Sequence, residues 1–126
     1  MSFSPATYAL AKRAVQKRDV IVVVAVGTRG YSGYLYSEVT ASRTITLDRP
    51  FVVEKVETYG RGFGHSSDGK RYSGNASIDY VIDGNTNPSL PVTATESIGL
   101  SATYGTAASV EVIGVVAVAV FYGRWL

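Results

Sequence analysis

The chain has 126 residues, 46% of them hydrophobic and only 17% charged, with a net charge of +2, thirteen glycines, nine tyrosines and no cysteine. That length supports one domain around a single core. The missing cysteines exclude disulfides, thiolate nucleophiles and cysteine-based zinc sites, and a charge content below the ~25% usual in soluble domains predicts that part of the outer surface faces protein rather than water.

In chain order, Ser4-Pro5-Ala6-Thr7 predicts a helix start, with Ser4 as N-cap and Pro5 at the first helical position, where its missing N–H costs nothing. Tyr8, Ala11 and Val15 recur at helical spacing and Leu10 and Ala14 widen the stripe, so an N-terminal helical arm is expected over residues 1–18. Lys12, Arg13, Lys17 and Arg18 put four cations and no anion in this arm, leaving eight basic against ten acidic residues in the rest. Cations late in a helix favour its C-terminal dipole, and the remainder recruits no basic surface, so a nucleic-acid partner is not expected. Nor is a secretory signal, because Asp19 interrupts the join to a short apolar run, Val20 to Val26.

From Val20 onward the signals are strands and turns. Val20 to Val26 reads as a strand apolar on both faces, Gly27 to Gly33 as a loop, and Leu35 and Val39 as one face of the next strand. Arg43 to Leu47 turns Ile45 and Leu47 inward, and Asp48-Arg49-Pro50 is a turn. Phe51 to Tyr59 reads as a strand in which Val53 and Val56 share a face only through a bulge near Glu54-Lys55. Ile78, Tyr80 and Ile82 alternate inward and Asp83-Gly84 closes their strand; Asn85 to Pro91 reads as a loop, and Ile98, Leu100, Ala102 and Tyr104 form the next inward set.

The final strand is apolar on both faces. Val110, Val112, Val116, Val118, Val120 and Tyr122 point one way, and Ile113, Val115, Ala117, Ala119 and Phe121 the other. This run is shorter than the ~20 residues a helix needs to cross a bilayer, so no membrane insertion is expected. One face is expected to meet an opposing sheet and the other a second subunit, with the alanine-bearing face as the less covered one. About seven or eight strands predict a mainly-β fold, an antiparallel β-sandwich over residues 19–126 with the jelly roll as a candidate arrangement and one N-terminal α-helix.

Gly60 to Gly74 holds five glycines, two aromatics, three basic residues and the only histidine. Gly60-x-Gly62-x-Gly64 lacks the following helix and the Lys-Ser/Thr that a phosphate cradle requires. A long ordered loop serving as a contact surface is expected, with an extended hairpin around Asp68-Gly69 as the alternative. His65, Ser66, Ser67 and Asp68 lie too close along one segment for a catalytic triad, and a lone histidine without cysteine is poor metal chemistry. No catalysis, metal or cofactor is therefore expected. Asp79 and Asp83, about 13 Å apart on one strand, read as a solvated face rather than a glycosidase pair.

Assembly contacts are expected at Tyr8, Lys12, Arg13, Val116, Val118, Phe121 and Trp125, with Trp125 beside Arg124 suited to anchor in a neighbour's groove. Tyr31, Tyr34, Tyr36, Arg61, Phe63, His65 and Tyr72 are candidate receptor or glycan contacts, since tyrosine joins a flat ring to a hydroxyl.

Ser2-Phe3-Ser4-Pro5-Ala6-Thr7-Tyr8-Ala9-Leu10-Ala11-Lys12-Arg13 resembles the start of bacteriophage virion proteins, particularly tail and fibre components, in which a short helix attaches the protein to the particle. The resemblance covers about a tenth of the chain. It implies a non-enzymatic structural protein located in the virion, as a tail, fibre or head-decoration component, that assembles as a symmetric homo-oligomer alongside other virion proteins. A carbohydrate-binding module that attaches to a host-surface glycan is the rival reading, and a hydrolase around His65 a weaker third.

Overall fold

The computed structural model describes residues 18–30 and 36–126. Nine strands form within them: β1 (Arg18–Gly30), β2 (Ser37–Thr46), β3 (Phe51–His65), β4 (Arg71–Asn75), β5 (Ser77–Ile82), β6 (Asn85–Thr86), β7 (Val92–Ala94), β8 (Ser97–Thr106) and β9 (Val112–Trp125). They make two antiparallel sheets. Sheet A runs β1-β9-β3-β4, with β7 also on β3, and sheet B runs β2-β8-β5-β6. The pairing is nested, β1 with β9, β2 with β8, β3 with β7 and β5 with β6, while β4 forms an additional hairpin with the far end of β3.

Alternation along the strands builds the core between the sheets. Val23 and Ala25 of β1, Phe51 and Val53 of β3, and Ile113, Val115, Ala117, Ala119 and Phe121 of β9 line sheet A's inner face. Val39 and Ala41 of β2 and Ile98, Leu100, Ala102 and Tyr104 of β8 line sheet B's. Removing these side chains from water is the main favourable term in folding. The β3–β9 register shifts between Val53 and Lys55, which is the bulge that lets Val53 and Val56 both turn to the core. Asp83 and Gly84 close the β5–β6 hairpin with φ of 50° and 80°, the two positive values a type I′ turn requires.

Three expectations are corrected. Gly60 to Gly74 is not a loop: β3 continues to His65, Ser66 to Lys70 turn, and β4 pairs back. Its alternate glycines are strand positions left bare so that other side chains can approach, Ile78 and Tyr104 of sheet B against Gly60 and Gly62 and Val110 of the β8–β9 connection against Gly64. The alanine-bearing face of β9 is the core face, so Phe121 is wholly buried and has no surface to offer an assembly contact. Asp83 is not a solvated carboxylate. It accepts from the backbone N–H groups of Thr95, Glu96 and Ser97 and from the Thr95 hydroxyl, fastening the β7–β8 turn to the β5–β6 hairpin. The expected helical arm lies outside the described residues apart from Arg18, which opens β1 instead.

Candidate functional site

The outer face of sheet A is the surface on which the candidate residues converge. The register sets transverse rows across β1, β9 and β3: Val20–Tyr122–Lys55, Val22–Val120–Glu57, Val24–Val118–Tyr59, Val26–Val116–Arg61, Thr28–Gly114–Phe63 and Gly30–Val112–His65. β4 extends the last rows, with Asn75 beside Arg61, Ser73 beside Phe63 and Arg71 beside His65. Polarity therefore rises from β1 to β4. Val20, Val22, Val24 and Val26 are 42–64% exposed, and Val112 and Val116 are each 40% exposed. Such exposure follows from two neighbouring strands that carry β-branched residues on both faces while only one face meets sheet B.

The polar part of this face is pre-ordered. Lys55 Nζ lies 2.7 Å from Glu57 Oε1 and 5.5 Å from the centre of the Tyr122 ring, and the Tyr59 hydroxyl donates to Glu57 Oε2 at 2.5 Å. The bond from Lys55 is the chief cause holding the Glu57 carboxyl below its ordinary range, and it raises the Lys55 ammonium in turn. The hydrogen bond that the Tyr59 hydroxyl donates to Glu57 likewise raises the Tyr59 phenol. Arg61 Nη1 donates to Asn75 Oδ1 at 3.0 Å, and the Phe63 ring lies over Gly114, filling the space a side chain there would take.

Two depressions adjoin the hairpin. One of about 480 Å³ is lined by Phe63, Gly64, His65, Arg71, Tyr72 and Ser73. The other, of about 390 Å³, lies between Thr58, Tyr59, Gly60 and Arg61 on β3 and Asn75, Ala76 and Ile78.

Of the expected contacts, Val116 and Val118 lie on the outer face, and Arg61, Phe63 and His65 share its hairpin end. Tyr72 sits on the opposite face of β4 and packs partly against the core. Tyr36 belongs elsewhere: it precedes β2 of sheet B, covers Gly105 and donates to Glu38 Oε2 at 3.1 Å. Trp125 is engaged within its own chain, edge-on to Phe51 at 4.8 Å, under Arg49, with Nε1 donating to Asp19 Oδ2 at 2.9 Å. Tyr8, Lys12, Arg13, Tyr31 and Tyr34 lie outside the described residues. Ser66 and Asp68 bond each other and close the β3–β4 turn, and among the described residues no three histidine or acidic side chains gather as a metal site would need. The Lys55–Glu57–Tyr59 network escaped the sequence reading, although simple alternation from Lys55 to Arg61 places all of its members on one face.

No protein-family model, curated protein or solved structure matches this chain.

Proposed function

We propose that the chain is a non-enzymatic structural subunit of a phage-like virion, a tail, fibre or head-decoration protein, that assembles with copies of itself through the outer face of sheet A. The observation that carries the reading is the bare valine surface of β1 and β9. Six valines that are 40–64% exposed, with Tyr59 and Phe63 beside them, make an apolar surface of the kind that marks a protein–protein contact. Its make-up also suits an interface, with an uncharged centre, tyrosine and phenylalanine beside it, and Arg18, Lys55, Glu57 and Arg61 at the rim. A second copy supplies a matching apolar face by two-fold symmetry.

The nested strand order supports the finer reading of the sandwich as a jelly roll, an arrangement that serves viral capsid and lectin domains alike. The resemblance of Ser2 to Arg13 to phage virion proteins supports placement in a particle.

The native mass of the purified chain tests this reading. A mass of several subunits that falls to one in Val24→Glu or Val116→Glu supports it, and a stable monomer of the unmodified chain refutes it. A carbohydrate-binding module is the second reading, favoured by the depression that joins Phe63 and Tyr72 to His65 and Arg71. Glycan-array binding abolished in Phe63→Ala would favour it.

A further inference from the structure

β9 pairs with β3 along nearly its whole length, but among the described strands the other side of β3 is paired only at its ends. β7 takes Phe51–Val53 and β4 takes Arg61–His65. Between them Glu54 to Tyr59 form a strand edge that no described strand pairs, and at its end Ala76 N donates to Gly60 O at 3.2 Å. At the ~3.3 Å rise of a strand this interruption is about 20 Å long. The 390 Å³ depression opens at the same place, lined by Thr58 and Gly60 of β3 and by Ala76 and Ile78. Thr58 occupies a core-facing register position opposite Ala119 and is nevertheless exposed, because the chain leaves sheet A at Ala76 to enter β5. Among the described residues the notch is therefore open both along its backbone edge and on its inner side.

We propose that this notch is a strand-addition site, which takes one extended peptide segment of a partner polypeptide beside Glu54 to Tyr59. An unpaired strand edge offers alternating donors and acceptors that another extended backbone satisfies. β7 and β4 wall both ends, so the site admits a single strand of about six residues. Alternate side chains of that strand face Ala76 and Ile78, where small apolar groups fit. Charge selects the flank. Lys55 is matched by Glu57, whereas among the described residues the Arg61 guanidinium bonds the neutral Asn75 amide and no carboxylate, so a carboxylate at that end of the peptide completes the pairing. The proposal stands apart from the valine face and holds whether or not the chain assembles with itself.

The test is an NMR titration of the ¹⁵N-labelled full chain with a synthetic heptapeptide, acetyl-Asp-Val-Thr-Val-Thr-Ala-Thr-amide. Support consists of amide shifts confined to Lys55–Gly60 and Ala76–Ile78, with slowed hydrogen exchange between Glu54 and Tyr59. The same peptide N-methylated at alternate amides should bind at least about fivefold more weakly, the effect of one or two lost ladder bonds, and Arg61→Ala should weaken the parent peptide similarly. Absence of shifts at Lys55–Gly60, shifts centred on Val20–Val26, or equal binding of the N-methylated peptide would each overturn the proposal. So would amides of Lys55–Tyr59 that all resist exchange in the free chain, since the edge would then already be covered.

Discussion

The ring of Tyr104 lies directly over the backbone of Gly62, so that a Cβ built at Gly62 would fall within the ring itself. The two residues belong to different sheets, and this contact brings β8 against the far end of β3. Tyr104 also approaches Gly74 of β4, so one aromatic side chain seats both strands of the hairpin. Gly62→Val should destabilise the subunit by about 2 kcal/mol or more through overpacking. Thermal unfolding of Gly62→Val, Tyr104→Ala and the double variant checks the contact. The double variant should lose less than the two single losses together, because the smaller residue removes the clash.

Charge substitutions distinguish the two faces of β9. Ala117→Glu places an unpaired carboxylate in the core and should cost about 3 kcal/mol or more, seen as unfolding or a large fall in Tm. Val116→Glu, one residue earlier on the outer face, should leave the isolated subunit's stability within about 0.5 kcal/mol. Its expected effect is on native mass alone.

Asp83 links stability to acidity. Partial burial pushes its carboxyl up, but the N–H groups of Thr95, Ser97 and Glu96 and the Thr95 hydroxyl outweigh that and hold it below the usual range. The folded carboxyl thus binds protons less tightly than the unfolded one. Its contribution is complete above the unfolded pKa of ~4 and is lost as pH falls through the lower folded value. Asp83→Asn should lower stability at neutral pH by about 1 kcal/mol and flatten the decline below pH ~4. Asp68, held down first by the Ser66 hydroxyl and then by the Lys70 N–H, should preserve part of that decline.

Trp125→Ala removes the edge contact with Phe51 and the bond to Asp19. A fall in stability of about 2 kcal/mol is expected, below the range for fully buried tryptophan because the ring is only half-buried. Denaturant unfolding measures it. Oligomer mass should not change, since the ring is occupied within its own subunit.

Period-two alternation is a local property, and what depended on it was legible in the sequence. The inward sets Ile98-Leu100-Ala102-Tyr104 and Ile78-Tyr80-Ile82, the bulge between Val53 and Lys55, and the Asp83-Gly84 turn all followed from spacing and turn chemistry. The expected surface role of Arg61, Phe63 and His65 placed them together, though on strand β3 rather than in a loop. Alternation divides β9 into two apolar faces, but it does not say which one the opposing sheet covers. That was decided by distant pairing: β9 sits between β1 and β3, and sheet B closes over Ala117 and Ala119 while Val116 and Val118 stay outside. The glycines of β3 looked like loop residues because their sequence carries no trace of the distant side chains that fill the space above them, Ile78 over Gly60, Tyr104 over Gly62 and Val110 over Gly64. The notch at Glu54 to Tyr59 was equally hidden. A strand's sequence specifies its faces through its side chains, whereas the occupancy of its edges is settled by backbone hydrogen bonds to strands that only the folded topology brings alongside.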